Sequence, residues 1–291
     1  DYHVLRADDP TGDFQQFIPR DETAHEYSIS HFEDKWYIMT NRDAINFKLM
    51  ETSVENTSEE NWKEVIPHRA NVLLEGIELF NEFMVVDERE AGLTKLRVMN
   101  QKTGDEHYLD FGEPAYTAYI STNAEFNTNI LRFGYTSMTT PFSTFDYNMD
   151  TKERELMKRQ EVVGGHNPED YVTERIWATV RDGAKVPISI VYKKGFEKNG
   201  KGPLLQYAYG SYGSTIDASF SSVRLTLLDR GFAFAIAHIR GGQMMGRQWY
   251  EDGKMFKKMN TFNDFVDCSK FLFEEKFASP EHLYAQGGSA G

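Results

Sequence analysis

Leu283-Tyr284-Ala285-Gln286-Gly287-Gly288-Ser289-Ala290-Gly291 are the last nine residues of the sequence, and the final five spell G-x-S-x-G. An apolar strand over 282–286 runs directly into the glycines. A serine on a sharp turn after a strand exposes its hydroxyl for attack, and small neighbours keep the turn clear of the adjoining backbone. Ser289 is therefore the candidate nucleophile. A plain glycine-rich turn can spell the same motif, so the weight rests on what precedes it.

Upstream of the motif, strands alternate with helices. "ERIWATVRDGAKVPISIVYKK" reads as a hairpin turning at Asp182-Gly183. "GPLLQYAYG" is an apolar strand that ends in a Gly/Ser/Tyr loop. "RLTLLDRG" predicts a helix closed by Gly231, and "FAFAIAHIRGG" a buried strand of the parallel type. "NTFNDFVDCSKFLFEEKF" predicts an amphipathic helix with Asn260 or Thr261 as N-cap. Together these are the beginning of an α/β sheet over residues 176–291.

Residues 1–160 have a different rhythm. Runs such as "EYSISHFEDKWYIMTN" alternate apolar and polar residues and break at charged or Asn/Gly turns. Similar units begin near Glu26, Val72 and Tyr116, a repeat of roughly 45 residues that is the mark of four-stranded propeller blades. The last two strands of a unit are joined across Lys102-Thr103-Gly104-Asp105 in one case and Asp150-Thr151-Lys152-Glu153 in another. Residues 1–20 read as the strand-turn-strand end of a further blade, giving about three and a half blades. Because a closed propeller takes about 4–8 blades, the sequence is expected to be cut at both ends. "EVVGGHNPEDYVTER", residues 161–175, reads as a hinge or linker. The expected fold class is a partial β-propeller followed by the first part of an α/β-hydrolase domain, truncated after the nucleophile elbow.

Composition narrows the function. Hydrophobic residues make up 40% of the 291, enough for a substantial core, and the 21 Phe and 15 Tyr favour strand-rich structure. A net charge of −13 argues against nucleic-acid binding, which needs a basic face, and favours cationic peptides as well as solubility. With a single cysteine, Cys268, no internal disulfide can form, which fits a reducing, cytoplasmic setting. Cys268 sits in a helical pattern without a glycine-rich turn, so a catalytic thiol is not expected. No stretch has the roughly 18 apolar residues of a membrane span, and the N-terminal residues lack a signal layout. No spacing suggests a metal, and no glycine-rich fingerprint suggests a nucleotide cofactor.

A serine nucleophile of this type takes its acid and base from further along the chain, in the order Ser, Asp or Glu, His. None of the eight histidines follows Ser289, so both partners are expected beyond Gly291. His238 ends a strand near the site but precedes the serine, and is read as structural or supporting. His166 is read as a solvated loop residue. The oxyanion needs two donors. One is the N–H of Ala290, the residue after the nucleophile. The second is sought in "QYAYGSYG", whose tyrosines can either donate a phenolic O–H or simply pack.

At this point the residues resemble a known family. "YAYGSYGSTIDASFSSVRLTLLDRGFAFAIAHIRGG", "WYEDGKMFKKMNTFNDF" and "QGGSAG" resemble the oligopeptidase B group of the prolyl oligopeptidase family of serine peptidases. The resemblance is strongest over 174–291 and continuous through the blades. It implies a seven-bladed propeller over an α/β-hydrolase domain, short peptides as substrates, and cleavage after Arg and Lys. By motif, Ser289 corresponds to the nucleophile, Tyr209 to the oxyanion tyrosine and Ala290 to the second donor. Two positions depart from the pattern: "RGGGE" is here Arg240-Gly241-Gly242-Gln243-Met244, without the glutamate, and "YGYG" is here "YAYG", with Ala208. The residues that select Arg or Lys are expected after Ser289. A relative preferring proline or acylated N-termini, and a non-catalytic propeller scaffold, are the competing readings; the oligomeric state is not legible. The 291 residues alone, lacking the Asp and His, are expected to be inactive.

Overall fold

The structure, a computed structural model, describes residues 1–291. It divides into two compact units, Asp1–Gly76 and Ile77–Gly291.

In the first unit, β1 (His3–Val4) and β2 (Gln15–Gln16) form an antiparallel pair. A four-stranded antiparallel sheet follows: β3 (Tyr27–Phe32), β4 (Lys35–Thr40), β5 (Lys48–Ser53) and β6 (Lys63–Ile66). The register sets Ile29 opposite Ile38 and Ile38 opposite Met50, so one face is apolar. Phe17, Ile18 and Ile38 are buried there, with Trp36 and Trp62 packed around them.

Two more sheets of the same kind follow. One consists of β7 (Val72–Leu79), β8 (Phe83–Glu90), β9 (Leu93–Asn100) and β10 (Glu106–Tyr108). The next consists of β11 (Tyr116–Ile120), β12 (Ile130–Ser137), β13 (Ser143–Asn148) and β14 (Arg154–Arg159). Each strand pairs with its sequence neighbour, as propeller blades do. Phe80, Val85, Val98, Leu131, Phe133 and Tyr147 belong to one buried cluster contributed by both sheets. The two polar turns named above are built alike. The Asn100 side chain accepts from the Lys102 and Thr103 N–H, and the Asn148 side chain from those of Asp150 and Thr151. Gly104 and Lys152 then take the left-handed conformation, φ 77° and 64°.

The expected hinge is only partly irregular. Val162–Gly165 make a turn, and Asn167 caps a 3-10 turn at Pro168–Asp170. β15 (Tyr171–Thr179) has already begun before residue 176, because Tyr171-Val172-Thr173 suits a strand. It forms the expected hairpin with β16 (Lys185–Lys193). Then come β17 (Leu204–Tyr207), α1 (Ser222–Leu228), β18 (Ala233–Ala237), α2 (Arg247–Glu251), α3 (Met259–Glu274) and β19 (Leu283–Gln286).

The sheet order is β15-β16-β18-β17-β19, with β17 parallel to both β18 and β19. Both faces are covered, so β18 reads as a continuous apolar run. Ala233, Ala235 and Ala237 join Cys268 and Leu272 of α3 in one cluster, while Phe234 and Ile236 join Leu228 of α1 in another. Ser221 caps α1 by accepting from the Arg224 N–H, and Gly231 closes it at φ 85°. α3 starts earlier than expected. A 3-10 turn at Met255–Lys257 feeds directly into it, and Lys258, not Asn260 or Thr261, is its N-cap. Asn260 instead donates to the Asp252 carbonyl, and Thr261 to those of Arg240 and Gly253.

Candidate active site

β17, β18 and β19 end side by side on one edge of the sheet, and each runs into a glycine-containing loop. Tyr207 is in register with Ile236 on one side and Gln286 on the other. Loops at the carboxyl ends of parallel strands are where α/β sheets build their sites. The parallel pairing thus starts the Ala208–Tyr209 segment and the Gly287–Gly291 turn at the same level.

Ser289 is exposed and left-handed, φ 56°, a conformation that disfavours side chains and persists only where its surroundings impose it. The turn around it is closed by the Gly291 N–H donating to the Gly288 carbonyl at 2.9 Å. A Cβ at Gly287 would lie 2.5 Å from the Gly291 carbonyl carbon. One at Gly291 would lie 2.7 Å from the Ala208 carbonyl oxygen and 3.2 Å from the Tyr209 ring. The first and last glycines of G-x-S-x-G are therefore required by contact, whereas a Cβ at Gly288 would meet nothing within 4 Å. Ala290 is half-buried next to Ser289. Tyr209, also half-buried, borders a cavity of about 10 Å3 with His238, Ile239 and Met244. Tyr207 lies in the strand and Tyr212 is 80% exposed, so Tyr209 is the tyrosine in contact with the elbow. Ala208 belongs to the buried cluster beneath the loop.

The loops are pinned by groups that the motif does not include. A Cβ at Gly241 would come within 2.0 Å of the Gly210 carbonyl oxygen, and one at Gly253 within 2.1 Å of the Gly241 nitrogen. Three backbone segments are stacked with no room for a side chain. Arg240 ties them to α3. Its guanidinium donates to both oxygens of Asp264 at 2.9 and 2.6 Å and to Asp182 at 2.6 Å, and its own N–H also donates to Asp264. Asp264 is fully buried, and these carboxylates hold the Arg240 guanidinium above its usual range. Trp249 lies under the guanidinium and donates its indole N–H to the His238 carbonyl. Lys258 donates to the Gly210 carbonyl and, at 2.7 Å, to the Ser211 hydroxyl; burial lowers its ammonium from the usual range. Spacing gave no sign of Arg240, Asp264 or Lys258, because their partners lie in other elements. The glycines at 210, 241 and 253 were visible but not their mutual contact.

His238 is buried, with Nε2 2.8 Å from the Ser189 hydroxyl. Burial, with Arg175 and Arg89 nearby, pushes it down to about 3, so the imidazole is neutral. This Ser–His pair is sealed from solvent on both sides, Ser189 being 2% exposed. His166 is not the solvated residue expected. Its ring packs against Tyr171 and Phe220, and Nε2 lies 2.6 Å from the Thr139 carbonyl oxygen. Cys268 is buried, which pushes its thiol far above the usual range and keeps it protonated. Asp21, His25 and Glu59 cluster closely enough to suggest a cation site, but the Arg42 guanidinium already lies among them. No helix is long and apolar enough to cross a membrane.

Comparison with known proteins agrees with this architecture. Residues 1–160 match the family model for the prolyl oligopeptidase N-terminal β-propeller domain, and residues 218–291 match that of the prolyl oligopeptidase family. Dipeptidyl aminopeptidase BI of Pseudoxanthomonas mexicana is 47% identical over 96% of this chain and 39% of its own length. Protease 2 of Moraxella lacunata is 36% identical over 99% of this chain and 41% of its own. Oligopeptidase B from Leishmania major superposes with a TM-score of 0.91 at 34% identity, over 99% of this chain and 42% of that one. Oligopeptidase B from Trypanosoma brucei gives the same figures. The chain spans about two-fifths of the length of these relatives. Blade-like sheets followed by the start of a hydrolase sheet, matched by both family models, assign it: the chain belongs to the prolyl oligopeptidase family of serine peptidases.

Proposed function

We propose that this chain carries the nucleophile and oxyanion-binding half of a serine oligopeptidase that cleaves short peptides after Arg or Lys. Residues 1–160 are the propeller portion, 161–175 the connection, and 176–291 the start of the hydrolase domain. Ser289 Oγ attacks the scissile carbonyl and passes its proton to a histidine oriented by an aspartate, the pair expected after the serine in triads of this order. The Ala290 N–H and the Tyr209 hydroxyl donate to the developing oxyanion. The C–N bond breaks as the protonated histidine gives its proton to the leaving amine, and water then hydrolyses the acyl-enzyme.

The observation that carries this reading is the contact between the elbow and the tyrosine loop. Gly291 lies against Ala208 and Tyr209, so the exposed serine and one tyrosine share a strand-end site. The net charge of −13 favours basic peptides electrostatically. The single buried cysteine suits a cytoplasmic protein, and fractionation of the native cell tests that location.

The relative at 47% identity supports a second reading, release of dipeptides from free N-termini. Chromogenic substrates assayed on the complete gene product separate the alternatives. Hydrolysis of blocked peptides ending in Arg or Lys, abolished in Ser289→Ala, is the expected result. Cleavage confined to unblocked dipeptide substrates favours the second reading. Cleavage only after proline or an acylated residue overturns the basic preference, and absence of fluorophosphonate labelling at Ser289 favours a scaffold.

A further inference from the structure

We propose that Lys258 is a positioning residue for the oxyanion-binding loop, gripping the backbone immediately after Tyr209 and so fixing where its hydroxyl points. The inference rests on the oxyanion reading of Tyr209.

The Lys258 ammonium donates to the Gly210 carbonyl and to the Ser211 hydroxyl, the two residues that follow Tyr209. An ammonium is a compact cation with three donors, able to hold a carbonyl and a hydroxyl at once. It is half-buried, and its charged end lies 5.9 Å from the centre of the Phe262 ring. The same Gly210 carbonyl abuts Gly241, so it is held from one side by packing and from another by charge. Lys258 is itself the N-cap of α3, and α3 is tied to the neighbouring loop by Asp264 and Arg240. The grip therefore comes from a fixed element, not from a mobile surface chain.

A tyrosine hydroxyl must lie about 2.7–3.1 Å from the oxyanion to help the transition state. A shift of about 1 Å in a positioning element can cost about a hundredfold in rate. Residues 208 and 209 lie beside Gly291 of the elbow and Gly210 packs against Gly241, so the Tyr209–Gly210 peptide is flanked at both ends. At the Gly210 end Lys258 adds to that packing a side-chain donor to the Gly210 carbonyl and the Ser211 hydroxyl, which fixes the peptide's orientation.

The test compares Lys258→Met, Lys258→Arg, Tyr209→Phe and the Lys258→Met/Tyr209→Phe pair in the complete gene product, using a blocked Arg peptide substrate. Lys258→Met is expected to lower kcat about 10- to 100-fold with KM within about twofold, and Lys258→Arg to recover most of the loss. In the Tyr209→Phe background the methionine substitution should add almost nothing, since both act through one hydrogen bond. Should Tyr209→Phe reduce kcat while Lys258→Met leaves it intact, the positioning role is wrong and the oxyanion reading survives. If Tyr209→Phe is itself silent, both fall. An equal loss from Lys258→Met in either background, or a loss that tracks a lowered Tm, makes Lys258 merely structural and overturns the proposal.

Discussion

Gly241 and Gly210 meet backbone to backbone: a Cβ on Gly241 would come within 2.0 Å of the Gly210 carbonyl oxygen. Gly241 is also left-handed, at φ 99°. Contact and conformation both exclude a side chain, and the loop displaced by one would be that of Tyr209. Gly241→Ala should destabilise the protein by about 3 kcal/mol or more. It should also lower kcat/KM by at least about tenfold where the fold survives. Gly104→Ala in the turn after β9 is the control, a glycine likewise left-handed (φ 77°) where a Cβ meets nothing within 4 Å. Thermal unfolding and peptide assay of both variants check the pair, and equal tolerance would mean the loops are not tightly stacked.

Arg240 has two carboxylate partners of unequal burial. Asp264 is fully buried, and the Asp182 side chain is 42% exposed. Removing a buried partner strands a buried guanidinium, whereas an exposed one is replaced by water. Asp264→Ala should therefore cost about 3–5 kcal/mol and Asp182→Ala about 1 kcal/mol or less. Urea titration of the two variants measures the ratio. Comparable losses would show that the Asp264 pair is hydrated.

Periodicity made the blades and the α/β hairpin legible, because each strand buries alternate residues against its sequence neighbour. The G-x-S-x-G turn was legible for a local reason: its first glycine faces its last, within five residues. Ends set by long-range contacts were not. α3 starts at Met259 because the preceding 3-10 turn delivers the chain in helical form, and Asn260 and Thr261 are spent on other loops. His166 sits in a polar, glycine-rich segment, yet Tyr171 and Phe220 enclose its ring. Pattern alone left Tyr209 among several tyrosines and only the family resemblance singled it out; the parallel register sets its loop beside Gly291.

His238 gives the fold an acid-sensitive term. Its folded value, about 3, lies below the ordinary 6.5 because burial and two arginines disfavour the imidazolium. The unfolded chain takes up a proton near pH 6.5, whereas the folded one does so only near pH 3. Stability from this group is therefore complete above about pH 6.5 and falls as pH drops towards 3. The loss reaches up to about tenfold in the folding constant per pH unit. His238→Gln, which keeps a polar partner for Ser189, should flatten this limb of a Tm-against-pH curve. An unchanged slope would assign the acid sensitivity to other groups.

Met244 occupies the position at which the family pattern "RGGGE" has its glutamate, and its surroundings still suit a carboxylate. The Arg89 guanidinium donates to the Met244 sulfur at 3.3 Å as well as to Asp217 at 2.7 Å. Arg175, which donates to the Ala91 carbonyl, packs with Met244 around Gly92, and burial pushes its guanidinium down to about 10. A thioether is a weak acceptor, so Met244 adds little to the carboxylate of Asp217 that already pairs with Arg89 and to the Ala91 carbonyl that serves Arg175. Glutamate has nearly the volume of methionine and would bring two strong acceptors between them. Desolvating the new carboxylate opposes the gain, but Arg89 is already buried and Arg175 half-buried, so much of their share of that cost is met in the parent protein. Charge-assisted hydrogen bonds contribute about 1.5–3 kcal/mol, and Met244→Glu should raise Tm by several degrees. Added salt should leave the gain largely intact, because a buried pair is poorly screened. A fall in Tm would mean that Arg89 and Arg175 are sufficiently served by Asp217 and Ala91, and that the methionine is the better-packed residue at this junction.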